Sequence, residues 1–206
     1  MKKNEQMRHS ERKRVELEFQ WPETPLNIVL VKPSIPPNTG NISRLCAATG
    51  TVLHLVEPLG FDLSEKRLRR AGLDYWDSVD LCRYPNIDAF FEQNPSGQKF
   101  FYSTAGHQSY SEVQYAPGDY LIFGNETLGL PDALLEEHPE HVCNIPIKLD
   151  AVRSLNLSNC AAIVLYEALR QINGLEGDAP SEPRKSSYPE GHGSDGAAPS
   201  TGIRNT

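Results

Sequence analysis

Five short apolar runs constrain the fold more than any other feature of this chain: LNIVLVK (26–32), TVLHLV (51–56), KFFYS (99–103), YLIFG (120–124) and VCNIPI (142–147). Each has the length of a strand, and each gives way to a polar or glycine-bearing stretch. Between them the apolar spacing changes to that of helices, at 39–49, 64–71, 86–93, 131–137 and 156–173. In the last of these, Leu157, Cys160, Ala161, Val164, Ala168 and Ile172 recur so as to share one face. Continuous apolar strands alternating with helices imply an α/β fold: a mostly parallel sheet with helices on both faces.

The two ends of the chain are outside this pattern. Residues 1–24 form a polar arm, expected to be flexible, whose first twenty positions hold six basic residues (Lys2, Lys3, Arg8, Arg12, Lys13, Arg14) against four acidic ones. Residues 176–206 read as a disordered tail rich in Gly, Pro and Ser, with almost nothing to bury. One domain, 25–175, lies between them and suffices for a chain of 206 residues.

A formal net charge of −7 argues against binding of nucleic acid through bulk positive charge. Distribution matters more than the sum, and Lys66, Arg67, Arg69 and Arg70 make a compact basic cluster inside the domain. Cys46, Cys82, Cys143 and Cys160 include no CxxC pair and no His spacing of a zinc site, so no metal is expected and the thiols read as small apolar residues of a reducing compartment. The basic N-terminus lacks an apolar signal core, and no run approaches the ~18 apolar residues of a membrane span. A cytoplasmic protein is the expectation.

In parallel α/β sheets, ligands sit in loops at the carboxyl ends of strands. Four such loops carry most of the Gly, Asn, Ser and Thr of the domain: PSIPPNTGN, TAGHQ, GNETLGLP and IKLDAVRSLNLSN. They contain no GxGxxG, no P-loop and no GxSxG elbow, so dinucleotide, nucleotide-triphosphate and serine-hydrolase chemistry lack their signatures. What remains is a site of backbone groups and small polar side chains, with Arg44, Glu126 and Arg153 as its charged members. Singly, each has a plain structural reading. Arg44 is a surface residue in the first turns of a helix, Glu126 a carboxylate near a helix start, Gly124 and Gly129 turn glycines, and Asn156, Ser158 and Asn159 caps of the last helix.

Taken in order, NTGNISRLCAATG, FGNETLGLP and IPIKLDAVRSLNLSNCAAIVLYEA resemble the three motifs of the SPOUT superfamily of knotted RNA methyltransferases, in its 2′-O-ribose-methylating TrmH/TrmL branch. The resemblance runs from about Leu26 to about Leu175 and takes in EPLGF and KRLRRAGLDYW. It is closest to the small TrmL-type enzymes that methylate the wobble pyrimidine nucleotide of certain tRNAs. It implies a C-terminal trefoil knot, a homodimer, S-adenosyl-L-methionine as methyl donor and tRNA as substrate. Another tRNA position, a ribosomal RNA, or a non-catalytic RNA-binding role on the same fold remain alternatives.

The resemblance also assigns residues. Gly124, Ile145 and Ser154 match cofactor-binding positions that act largely through backbone groups, Tyr102, Thr104 and Gly129 match further cofactor positions, and Leu130 and Leu155 would add apolar contacts around the adenine. Arg44 matches the arginine of the first motif. Because arginine is effectively always protonated, it is better suited to hold a phosphate and polarise the ribose hydroxyl than to act as a base. Asn38 and Asn41 would orient the ribose or order the loop around Arg44, and Glu126 would anchor the site or partner Arg44. Ser158, Asn159 and Tyr166 match positions near the target nucleotide. Arg67, Arg69 and Arg70 would contact tRNA phosphates. Asn125 stands where relatives often carry proline, a departure expected to loosen its turn.

Overall fold

The computed structural model describes residues 17–62, 78–148 and 152–174. The basic cluster at 66–70, the helix expected at 64–71, the beginning of the arm and the tail lie outside the described residues.

Seven strands form one sheet: β1 (Asn27–Val31), β2 (Val52–Val56), β3 (Leu81–Tyr84), β4 (Lys99–Tyr102), β5 (Gln108–Ser109), β6 (Tyr120–Phe123) and β7 (Val142–Asn144). Their order is β3-β2-β1-β6-β4-β7-β5, and every pairing is parallel. The helices are α1 (Pro36–Thr49), α2 (Ile87–Gln93), α3 (Asp132–Glu137) and α4 (Leu157–Gly174). All five expected strands are present, each trimmed at its ends. Two more were not foreseen, because β3 is only partly covered and bears Arg83, and β5 has two residues.

Alternation along the strands separates two cores. Ile28 and Leu30 of β1, Leu53 and Leu55 of β2, and Leu121 and Phe123 of β6 pack with Ile42 and Cys46 of α1 and Ala161, Val164, Leu165 and Ala168 of α4. The intervening Val29, Val31, Val56 and Ile122 face the other way, with Phe90 of α2 and Leu134 of α3. Helices therefore cover both faces, as the apolar continuity of the strands requires. The second core is aromatic, with edge-to-face contacts linking Phe90 to Tyr84, Phe91 and Tyr120 at ring separations of 5.3–5.5 Å.

Helix α1 starts earlier than its apolar spacing suggests. Pro36 and Pro37 form its first turn, where the missing N–H groups would be unpaired in any helix and the fixed φ already suits the helical backbone. Gly50, at φ 68°, ends the helix with its N–H bonded to the Cys46 carbonyl. At the other end of the domain, Phe19 packs on the first core and the Gln20 N–H donates to Asn173 Oδ1.

The fold so arranged brings the carboxyl ends of β1 and β6 side by side. From β1 the chain moves outward to β2, whereas β6 is entered from the other half of the sheet, so the pair straddles the point where ligand crevices form in open parallel sheets.

Candidate active site

The loop leaving β6 is strapped to the loop leaving β1. Glu126 accepts four hydrogen bonds: from Ser34 N–H (2.8 Å) and Ser34 Oγ (2.9 Å) on Oε2, and from Ile35 N–H (3.1 Å) and Asn38 Nδ2 (3.1 Å) on Oε1. Partial burial works to raise the pKa of Glu126. The Ser34 and Glu126 amides and the side chains of Asn38 and Ser34 outweigh it, holding the carboxyl below its ordinary range. With all four acceptor directions taken by donors, this carboxylate is an anchor rather than a free base.

Asn38, 5% exposed, carries the connection onward. Its Oδ1 accepts from Asn156 Nδ2 at 3.0 Å. The Asn156 Oδ1 in turn accepts from the Ser158 N–H (2.9 Å), the Ser158 hydroxyl (2.7 Å) and the Asn159 N–H (3.4 Å), capping α4. A single chain of side chains, Glu126 to Asn38 to Asn156, thus joins the loop that follows β6 to the first turn of α1 and to the loop that follows β7. Asn41 and Arg44 lie one turn apart on α1, both exposed at the end of the helix this chain secures. Tyr166 is 52% exposed on α4, and Arg153 is exposed in the loop before it.

Asn125 tightens its turn instead of loosening it. Its Nδ2 donates to the Lys32 carbonyl (2.7 Å), its Oδ1 accepts from the Thr127 (2.9 Å) and Leu128 (3.1 Å) amides, and its backbone pairs in both directions with Gly129. Where proline would stiffen the turn covalently, this asparagine does so by hydrogen bonds and adds a tie to β1. Lys32 is the residue at positive φ, 53°, among the described non-glycine residues, and the tie holds the strand end in that conformation.

The glycines divide by purpose. A Cβ on Gly124 would sit 2.1 Å from the Gly129 carbonyl carbon and 2.3 Å from the Leu130 N, so this glycine lets the turn close on itself rather than keeping a ligand slot clear. Gly129, at φ 73° with nothing within 4 Å of a Cβ position, does face open space. Gly106, unremarked in the sequence, brings the loop after β4 against β7: its Cβ would meet the Cys143 carbonyl at 2.5 Å. Thr104 is exposed in that loop, with its carbonyl accepting from Asn144 Nδ2 at 3.2 Å. Ile145 and Leu155 are half-buried and Ser154 exposed, all beside the same strand ends. Two expected contacts have their side chains committed to the core. Tyr102 stacks on Phe123 at 4.8 Å and hydrogen-bonds Tyr115 at 2.9 Å, while Leu130, 4% exposed, packs in the second core. Both can offer a ligand only their backbone groups.

Besides Gly106, sequence reasoning missed Ser34 and the linking role of Asn156. Ser34 carried no motif of its own; Asn156 was visible as a cap, and a cap's second bond is not encoded in spacing. Among the described residues no group of three His, Cys, Asp or Glu could hold a metal ion, and no helix is long and apolar enough to cross a membrane.

Comparison with known proteins gives this arrangement a family. Residues 25–166 match the model of the SpoU rRNA Methylase family. The tRNA (cytidine(34)-2'-O)-methyltransferase of Escherichia coli (strain K12) is 51% identical over 148 residues, covering 71% of this chain and 94% of that protein. A solved structure bearing on the 2-OH methylation of C/U34 on tRNA superposes with a TM-score of 0.67 at 45% identity, over 72% of this chain and 96% of that one. An AdoMet-bound rRNA methyltransferase from Sinorhizobium meliloti superposes at 0.62 with 27% identity, over 74% of this chain and 58% of that one. The match to the family model spans more than half of the chain and all three connected loops, and the chain belongs to the SpoU methylase family of S-adenosylmethionine-dependent RNA methyltransferases.

Proposed function

We propose that this protein methylates the 2′-hydroxyl of the wobble pyrimidine, nucleotide 34, in certain tRNAs. The observation that carries the reading is the Glu126–Asn38–Asn156 chain, which fixes the helix bearing Arg44 against both neighbouring loops. The relative from Escherichia coli, at 51% identity over nearly its whole length, is named for that reaction.

The residues around the strand ends fit a methyl donor with an adenine ring. Gly129 opens on a space that a Cβ would enter, and the surrounding positions offer backbone groups and small neutral side chains suited to a flat apolar ring with a polar edge. Thr104, Gly129, Ile145, Ser154 and Leu155 hold the cofactor, with Tyr102, Gly124 and Leu130 contributing main-chain groups. S-adenosylmethionine, when bound, supplies a methyl group already activated on a sulfonium.

The protein's own task is therefore positioning and polarisation. Arg44 binds the phosphate next to the target ribose and lowers the pKa of the 2′-hydroxyl through its positive field. Asn41, one turn away, orients the ribose. Ser158, Asn159 and Tyr166 line the approach of the nucleotide, and Arg67, Arg69 and Arg70 contact tRNA phosphates. Rigid holding of the reacting pair supplies up to roughly 7–11 kcal/mol of the barrier. This is why the anchoring carboxylate and the two asparagines belong to the machinery although none need touch a proton.

The working protein is a cytoplasmic homodimer with the family's trefoil knot, built on a domain at 25–175 with an arm at 1–24 and a tail at 176–206.

Incubation with methyl-labelled S-adenosylmethionine and unmodified tRNA, followed by digestion to nucleosides, tests the reading. Label is expected in 2′-O-methylcytidine or a 2′-O-methyluridine derivative at nucleotide 34, and in none when Arg44→Ala replaces the wild type. Label at another nucleotide or on a base would move the substrate; no label with cofactor bound would favour a non-catalytic RNA-binding role.

A further inference from the structure

The EPLGF segment after β2 lies outside the three motif loops, yet it touches the most constrained of them. The Gly60 N–H donates to the Pro33 carbonyl at 2.9 Å. A Cβ on Gly60 would lie 2.7 Å from Ser34 Cα, 2.9 Å from Ser34 Cβ and 3.2 Å from the Ser34 carbonyl oxygen. The backbone of Gly60 is not among those at positive φ, so its glycine is not needed for a left-handed conformation. Close approach to Ser34 is the reason for it. Ser34 is the residue that gives Glu126 two of its four hydrogen bonds, through its N–H and its hydroxyl.

We propose that Gly60 is a positioning residue for methyl transfer. By letting the turn after β2 seat directly on Ser34, it sets the height of the loop after β1, and with it the Glu126 carboxylate, Asn38 and the helix carrying Arg44. The inference rests on the function proposed above. Gly60 itself touches neither reacting group. Its effect passes through Ser34.

A methyl group at Gly60 needs ordinary contact distance from backbone atoms that now stand 2.7 Å away, so the two loops must separate by roughly an ångström. Misplacement of that size, away from the chemistry, is enough to slow an enzyme by about 100-fold. The cofactor positions at Thr104, Ile145 and Ser154 are on other loops, and Gly129, which shares the loop of Glu126, keeps its backbone pairing with Asn125, so cofactor affinity is expected to change little.

The experiment compares Gly60→Ala, Gly50→Ala and wild type in single-turnover methylation of tRNA, with calorimetric affinity for S-adenosylmethionine and melting temperature measured alongside. Gly50 caps the far end of α1 at φ 68° with free space around it, so its substitution reports loss of stability without a shift at the site. The expected result is a fall of about 100-fold in the methylation rate of Gly60→Ala, with cofactor affinity within about threefold of wild type. Gly50→Ala should melt lower but react at the wild-type rate. In Gly60→Ala combined with Ser34→Gly, the losses should be less than multiplicative, because both act through one contact.

A rate for Gly60→Ala no lower than that of Gly50→Ala would overturn the proposal, as would a parallel loss of cofactor affinity. Should Gly60→Ala not fold, Ser34→Gly alone decides: a wild-type rate there removes the link on which the proposal depends, and a large loss at unchanged affinity upholds it. If wild type methylates no tRNA, the proposed function fails first, and that outcome is distinct from wild type reacting and Gly60→Ala reacting equally well.

Discussion

At the scale of single residues, Glu126 shows how an acidic group in a methyl-transfer site can be indispensable without exchanging a proton. Its oxygens are enclosed by four donors, and exchange of one oxygen for an amide would set a donor against a donor. Glu126→Gln should therefore lower the methylation rate at least about tenfold, since hydrogen bonds to a charged group contribute roughly 1.5–3 kcal/mol each. Affinity for S-adenosylmethionine should barely change. A base would show itself differently, as an acid limb in the rate profile that moves on substitution. Because the Glu126 pKa is lowered, its ionised form and the stability it gives are present above the unfolded value of 4.5 and are lost only as pH falls through the lower folded value. Rates measured between pH 6 and 9 should therefore carry no titration from this group, and a limb abolished by Glu126→Gln would sink the anchoring role.

At the scale of elements, the N-terminus of α4 does two things through one side chain, and the two can be separated. Asn156 Oδ1 caps the helix, and Asn156 Nδ2 reaches Asn38. Aspartate keeps the acceptor, suits the positive end of the helix dipole and lacks the donor. Asn156→Asp should thus melt within a few degrees of wild type while methylating at least about tenfold more slowly, whereas Asn156→Ala should lose about 1 kcal/mol of stability as well. Equal rates for Asn156→Asp and wild type would confine Asn156 to capping. This double use explains what the sequence could and could not disclose. A cap is local, so Asn156 was recognisable from its place before an apolar helix; its bond to a residue 118 positions away was not. The same holds for strands: β1 and β6 announce themselves as nearly continuous apolar runs and are buried along their whole length, while β3, with LCRY half-covered at the sheet edge, has too little burial to leave a pattern. Pro36 and Pro37 fall in the loop before the helix expected at 39–49, because proline's fixed φ suits a loop as well as the first turn of a helix.

At the scale of the whole molecule, alternation of strand and helix announced a parallel sheet but could not order it, since the order β3-β2-β1-β6-β4-β7-β5 depends on contacts between segments far apart in sequence. One such contact set centres on His54, 3% exposed in the middle of β2. Its Nε2 meets Asn27 Oδ1 of β1 at 3.0 Å and its Nδ1 meets Tyr84 Oη of β3 at 2.9 Å. Asn27 Nδ2 donates to the Gly118 carbonyl at 3.0 Å, which leaves Asn27 Oδ1 as acceptor and places the imidazole proton on Nε2. The neutral ring thus links three adjacent strands and, through Asn27, the turn that enters β6. Burial, against a weaker pull from Asp80, lowers the His54 pKa from 6.5 to about 4. A histidine depressed in the folded state binds its proton first in the unfolded chain, so between pH 6.5 and 4 the unfolded state gains protons and stability falls as pH falls. The shift corresponds to on the order of 3 kcal/mol. Urea unfolding of wild type should therefore weaken by about that amount across this interval, apart from the carboxylates that titrate near its lower end. His54→Gln, less stable at pH 7, should lose less than about half as much over the same range. If both proteins weaken with the same slope, the acid sensitivity of the sheet resides in some other group, and His54 serves only as a neutral spacer between Asn27 and Tyr84.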